Sequence, residues 1–479
     1  MARPKNDKRS KRNSALKMKY LYKILHLLLL TSSMTTARAQ VGHHLTGISV
    51  GTNATATVQL DGSVSNLFSL TASMRSQYLQ MFDIYLIDAS PELTQWTRQA
   101  AFLRENNDPT PLSWQDTNTG LGTARFYRTP TNYLVTPFSK PTGPYAVGKV
   151  VRILTDPTRS YRYGIPTNSS FMSTIWYPAD PPAARSLPAP YTDPAVVKDV
   201  AYSSQFGWPS QWGAVMAACV TFAQTNVPVA SGTKRFPVIV HSHGISGDRT
   251  QNSQNLSELA SHGYIVAAVD HEDCHCTVFP DARGARYVSP DLYNPAWGQS
   301  RTNDMEVLLK ALTEFDSVDP ILAGRLDLNS IGAMGKSWGG GTAGELCRND
   351  SRIKCAVLLD PAIFTDNGPN LVAVGLQKPF LTMNSTVWVH TNLLPSPSDF
   401  ALMSSNLFYL ATTNATWFKV ANAAHLTFSD PGWTMDMTPT SRSAALAIDA
   451  GTLWFFDTNL KGETTPIPTN AEIINVQQK

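Results

Sequence analysis

Gly335-Lys336-Ser337-Trp338-Gly339-Gly340 follows the apolar run Ile331-Gly332-Ala333-Met334 and precedes the helix-forming stretch Thr342-Ala343-Gly344-Glu345-Leu346. A G-x-S-x-G sequence between a strand and a helix is the pattern of a nucleophile elbow. The glycines have a physical reason. A serine presented on a sharp turn needs neighbours without side chains, which would collide with the strand and the helix. The start of the following helix also favours negative charge developing near Ser337. A chance glycine-rich turn is the competing explanation, and the strand-turn-helix context weighs against it.

A serine hydroxyl needs a base, and the base needs an acid to orient it. On a nucleophile-elbow fold the chain order is Ser, acid, His. Asp360 closes the apolar run Cys355–Leu359, and His425 follows the run Trp417–Val420 within Ala423-Ala424-His425-Leu426. Both sit at carboxyl ends of expected strands, where open α/β sheets place their sites. Asp360, ahead of Pro361, also suits a turn, and His425 a surface loop. Asp366 is the main competitor for the acid. Asp430, Asp449 and Asp457 come after His425 and fit the order less well.

An oxyanion needs two backbone donors. One is the Trp338 N–H, directly after the serine. The other is expected from His241-Ser242-His243-Gly244-Ile245, where Gly244 permits close approach and Ile245 N–H is the natural donor. His241 and His243 could be read as metal ligands, but no carboxylate stands beside them, and support of the loop is the favoured reading. Cys274-His275-Cys276, near His271, lacks a second cluster at matching spacing and reads as a polar loop. The chemistry therefore calls for no metal and no cofactor. A serine rather than an aspartate in the elbow counts against a dehalogenase.

These residues need a parallel sheet to hold them. Phe236–His241 and Tyr264–Asp270 are continuous apolar runs, as expected of strands buried on both faces. Ile331–Met334, Cys355–Leu359, Pro379–Met383 and Trp417–Val420 continue the series, with helix-like stretches such as Asp304–Phe315 between them. Strand and helix in alternation imply an α/β domain, expected over 145–479, with a mostly parallel sheet covered on both sides. Residues 181–235, rich in Pro, Trp and Ala, interrupt the series and suit a cap over the sheet edge. Its aromatics Phe206, Trp208 and Trp212 read as cap packing before lipid contact. Residues 40–130 instead alternate apolar and polar in short runs separated by turn residues. They suggest a small all-β, sandwich-like accessory module, joined through a Pro/Thr-rich linker at 131–144.

The chain has 479 residues, 42% hydrophobic and 16% charged, which excludes disorder and coiled coil and allows two domains. Its formal charge of +3 is dominated by residues 1–39, with ten Lys/Arg against one Asp, and the remainder is mildly acidic. Nucleic acid is therefore not the expected partner. Basic residues up to Lys23, the apolar run Ile24–Leu30 and the small-x-small Ala37-Arg38-Ala39 form a signal-peptide pattern over 1–39. An exported protein, periplasmic or extracellular, is expected, with Met18 competing with Met1 as the start. Five cysteines make at least one unpaired within the chain, and Cys347 with Cys355 is the favoured bridge. A monomer is the favoured assembly.

Several separated segments resemble the secreted platelet-activating factor acetylhydrolase family, in its bacterial form. They are Lys234–Gly244, Leu259–Asp273, Ser330–Gly341 and Pro379–Ser385, with His425-Leu426-Thr427-Phe428-Ser429-Asp430 similar to the family's histidine motif. The resemblance covers about 141–460. It implies an α/β-hydrolase fold, a Ser337–His425–Asp360 triad and metal-independent hydrolysis of short or oxidised acyl chains on a phospholipid-like ester. Lys336 and Trp338 stand where the family more often carries His and Phe, and the N-terminal module has no counterpart in the family's core. The sequence leaves three functions to compare. They are such a phospholipid-type esterase, a broad cutinase-like or dienelactone-hydrolase-like esterase or polyesterase, and a surface-binding protein acting through its N-terminal module. A small ester is the expected partner, and a membrane surface or polymer is a compatible contact.

Overall fold

The computed structural model describes 138–159, 161–162, 165–166, 170–181, 188–193, 219–274, 276–279, 284–286, 295–363, 371–387, 397–412, 414–431 and 439–479. It also describes seven strands between 45 and 136. Those strands pair antiparallel in two sheets. Leu45–Val50, Ala56–Leu60 and Leu112–Asp116 form one. Phe82–Ser90 is the centre of the other, between Thr97–Glu105 and the segments Phe126–Arg128 and Leu134–Thr136. Leu134–Thr136 thus lies in a strand within the expected linker. The signal segment 1–39 and His43-His44 lie outside the described residues, as do Phe206, Trp208 and Trp212. Among the described residues no helix is long and apolar enough to cross a membrane.

The larger sheet has eleven strands. We number them β1 (Ala146–Thr155), β2 (Ser170–Ala179), β3 (Pro188–Pro190), β4 (Val220–Thr225), β5 (Phe236–Ser242) and β6 (Ile265–Val269). Then follow β7 (Leu326–Lys336), β8 (Ile353–Leu359), β9 (Phe380–Val387), β10 (Ala415–Ala424) and β11 (Ile473–Gln478). Their spatial order is β3-β4-β1-β2-β6-β5-β7-β8-β9-β10-β11. From β6 to β10 every pairing is parallel, and the antiparallel pairs lie towards the two edges. The fold is α/β, a mostly parallel sheet of the α/β-hydrolase type. The described parts of 181–235, β3 and β4, extend the sheet edge rather than covering it, because their backbone groups are taken up by the ladder next to β1.

Helices α1 (Ser253–Ser261), α2 (Pro295–Val318), α3 (Trp338–Asn349), α4 (Pro397–Leu410) and α5 (Pro439–Phe456) cover both faces. Alternate residues of each central strand enter different cores. Val238 and Val240 join Met305, Leu308, Leu312, Leu346 and Leu407 on the α2–α3–α4 side. Ile239 joins Leu256, Leu259, Ala444, Ile448 and Phe456 on the α1–α5 side. That alternation explains the unbroken apolar runs, since neither face of these strands meets water. It also corrects the expected disulfide: Cys347 and Cys355 are both free and buried, because their thiols enter opposite cores.

The topology decides where a site can form. β6 and β7 lie on opposite sides of β5, so the crossovers through α1 and α2 leave in opposite directions. At such a switch point the loops at the carboxyl ends of the strands diverge and leave a crevice. The loop after β5 and the turn after β7 face each other there.

Candidate active site

Ser337 stands between β7 and α3 with φ 57° and ψ −124°, a left-handed conformation costly for any residue with a side chain. Its surroundings hold it there. Its N–H donates to Leu359 O at 2.9 Å, and its carbonyl accepts from Ala362 N–H at 2.9 Å. The elbow glycines are required by contact. A Cβ on Gly335 would lie 2.0 Å from Gly339 O, and one on Gly339 would lie 2.0 Å from Ser242 O.

Asp360 and His425 reach the same point from the ends of β8 and β10. His425 Nε2 is 3.0 Å from Ser337 Oγ, and His425 Nδ1 is 2.7 Å from Asp360 Oδ2. Asp360, itself at φ 43°, is fully enclosed. It accepts from Ser385 N–H at 3.0 Å, Ser385 Oγ–H at 2.9 Å and Asn384 Nδ2–H at 3.1 Å. Asn384 is itself fixed by Trp417 Nε1–H, 2.8 Å from its Oδ1. Burial favours the neutral acid, but the His425 contact and the donors from Ser385 and Asn384 outweigh it and hold the carboxyl below its ordinary range. His425 is also pushed below its ordinary value, first by burial and then by the nearby charge of Lys336, so it is neutral at pH 7. A neutral imidazole whose Nδ1 proton faces a carboxylate presents Nε2 as an acceptor to the serine hydroxyl. This arrangement can remove a proton from Ser337.

The other acids lie elsewhere. Asp430 is held near the start of α1, where its N–H donates to Gln251 O at 2.8 Å. Asp449 accepts from Gln254 and Asn255, and Asp457 accepts from Tyr264 and Lys461. Asp366 lies outside the described residues.

The loop after β5 runs beside the nucleophile. A Cβ on Gly244 would sit 3.4 Å from Ser337 Cβ, so the loop passes directly beside the nucleophile. Gly244 N–H is already used, donating to Gln251 Oε1 at 3.1 Å, which leaves Ile245 as the next amide along the loop. Trp338 opens α3 on the other side of Ser337.

Sequence reasoning named His243 as a support of this loop but missed the parts of His271 and Arg301. His243 Nδ1–H donates to Gly244 O at 2.6 Å, and its Nε2 accepts from His271 N–H at 3.0 Å. His271 lies between Asp304 Oδ2, at 2.9 Å, and Ser242 Oγ, at 2.8 Å. Arg301, 1% exposed, ties the two halves of the site together. Its guanidinium pairs with Asp273, donates to His243 O and to Ser242 Oγ, and lies 4.8 Å from the Trp338 ring centroid. No spacing rule picks out Arg301, which comes from the first turns of α2. His241 is buried and neutral, its pKa lowered to about 3 chiefly by burial and then by the charges of His271 and Arg301. The stretch 274–276 contributes a buried Cys274, and the side chains of His275 and Cys276 lie outside the described residues.

Four likenesses to known proteins bear on the fold and on the class of chemistry. Residues 135–292, which include the loop after β5 but end before the elbow, match the family model of platelet-activating factor acetylhydrolase, isoform II. Platelet-activating factor acetylhydrolase of Cavia porcellus is 28% identical over 270 residues, 49% of this chain and 57% of that protein. The Gallus gallus protein is 25% identical over 246 residues, 43% of this chain and 56% of that one. The chain spans about half the length of these curated relatives. Among solved structures, a ferulic acid esterase from Streptomyces cinnamoneus is 26% identical with a TM-score of 0.56, over 71% of this chain and 98% of that one. The chain is thus similar, over part of its length, to the platelet-activating factor acetylhydrolase family, and it has an α/β-hydrolase fold.

Proposed function

We propose that the chain is a serine carboxylic-ester hydrolase working through an acyl-enzyme. The observation that carries this is the hydrogen-bonded chain Ser337–His425–Asp360, at 3.0 and 2.7 Å, in a crevice at the carboxyl ends of the strands. Ser337 Oγ attacks the ester carbonyl while His425 Nε2 takes its proton. The Ile245 and Trp338 amides receive the oxyanion, supported by the α3 N-terminus. His425 returns the proton to the leaving alcohol, then activates a water that releases the acid and restores Ser337. Asp360 keeps the imidazole in the required tautomer and balances its transient charge.

The substrate class proposed is a short or oxidised acyl ester of a phospholipid-like alcohol, after the family resemblance. The likeness to a ferulic acid esterase supports a second reading, a broader esterase taking simple or polymeric esters. Export through the segment 1–39 belongs to the same proposal, with the module at 40–130 offering a contact to a membrane surface or polymer. Fluorophosphonate labelling of the mature chain with chelator present, followed by peptide mapping, tests the mechanism. Label is expected on Ser337 and is expected to disappear in His425→Ala. A folded protein that takes no label overturns the proposal. Acetylated phospholipid, nitrophenyl esters and an insoluble polyester then separate the two substrate readings.

A further inference from the structure

Lys336 is not used by the chemistry above, yet it immediately precedes the nucleophile. Its side chain is 4% exposed. The stem runs along the loop after β5, so that a Cβ on Gly244 would meet Lys336 Cδ at 3.2 Å and Ser337 Cβ at 3.4 Å. Lysine stem and nucleophile therefore flank the same point of the loop. Three other buried or half-buried lysines end on acceptors. Lys149 donates to the Pro190 and Tyr191 carbonyls, Lys378 to those of Asp350 and Ile353, and Lys461 to Asp457. Lys336 Nζ makes no hydrogen bond and no ion pair with any described residue. Largely withdrawn from water and without an acceptor, this ammonium is stabilised by anything that supplies one.

The groups facing it are Asp360, from the end of β8, and His425, from the turn after β10. Burial lowers the Lys336 pKa to about 8, against the opposing pull of Asp360, and the amine is still mostly protonated at pH 7. Asp360 is already saturated by His425, Ser385 and Asn384 and offers Lys336 no hydrogen bond.

We infer that Lys336 determines specificity, its ammonium receiving an anionic substituent, carboxylate or phosphate, that the ester substrate carries within a few bonds of the scissile carbonyl. The inference rests on Ser337 being the nucleophile, because adjacency to the reacting carbonyl gives the ammonium its place.

The test compares matched ester pairs. One pair is a nitrophenyl ester with a terminal carboxylate on a five-carbon acyl chain and its uncharged five-carbon counterpart. The other is a short-chain ester of a glycerol-type alcohol bearing a phosphate and its neutral dimethyl phosphate counterpart. The first locates the anion on the acid side, the second on the alcohol side. The quantity read is the ratio of kcat/KM for anionic over neutral ester, in which the contribution of His425 ionisation cancels. In the wild type one pair is expected to show a ratio well above one, falling about ten- to a hundredfold in Lys336→Gln. The wild-type ratio should also fall as pH rises through about 8, where the amine loses its proton, and as salt is raised. Should Lys336→Gln fail to fold, the pH and salt dependence of the wild-type ratio decides. A ratio unaffected by substitution, pH and salt in both pairs, with Ser337 labelled by fluorophosphonate, overturns the lysine inference alone. Absence of label together with absence of turnover overturns the hydrolase reading beneath it.

Discussion

Arg301 offers the sharpest separation of stability from catalysis. Its guanidinium and the Asp273 carboxylate are both sealed from water, so Arg301→Met leaves a buried, unpaired carboxylate. Breaking a buried pair in this way costs about 3–5 kcal/mol. The thermal midpoint should fall by roughly 5–10 °C. The double variant Arg301→Met/Asp273→Asn removes the stranded charge and should recover most of that loss, a coupling of about 2–3 kcal/mol. Catalysis should not recover with it. The same guanidinium holds His243 O and lies against the Trp338 ring, so its loss frees both segments that carry the proposed oxyanion donors. Deleting one oxyanion donor costs about a hundred- to a thousandfold in kcat in other serine hydrolases, and misaligning a donor should cost about ten- to a hundredfold here. The assay is thermal unfolding beside steady-state hydrolysis of a nitrophenyl ester, with KM changing little in both variants. If the double variant regains kcat in step with stability, Arg301 is only a structural residue and the reasoning fails.

Two other outcomes follow from the same structure. Asp360→Asn should keep the fold, since Ser385 and Asn384 still frame the position, while kcat falls by about three to four orders of magnitude. A loss below tenfold would show that Asp360 does not orient His425. Asp449 is buried with its pKa raised to about 7, chiefly by desolvation, whereas an unfolded aspartate titrates near 4. The folded chain therefore holds a proton that the unfolded chain has lost, and this group's contribution falls by on the order of 3–4 kcal/mol as pH rises from about 4 to about 7. Above that range both states are ionised and the loss levels off. Asp449→Asn should flatten this part of a plot of thermal midpoint against pH, and identical slopes in variant and wild type would refute the assignment.

The sequence by itself determined the strand–helix alternation, because strands buried on both faces must be continuously apolar. It also determined the elbow, because a serine at positive φ between strand and helix excludes side chains at Gly335 and Gly339. The chain order of Ser, acid and His singled out Asp360 and His425. Other features depended on contacts between residues far apart in the chain. The switch point at β5 is a matter of strand order, which no local pattern records. Arg301 meets His243, Trp338 and Asp273 only when α2 crosses the sheet, so nothing around position 301 announces it. The proposed bridge between Cys347 and Cys355 looked reasonable along the chain and fails in space, because helix and strand direct the two thiols into cores on opposite sides of the sheet. Short-range chemistry is legible because it constrains neighbouring residues. The setting of the nucleophile is not, because it depends on which distant side chains the closed fold brings into a site with little water.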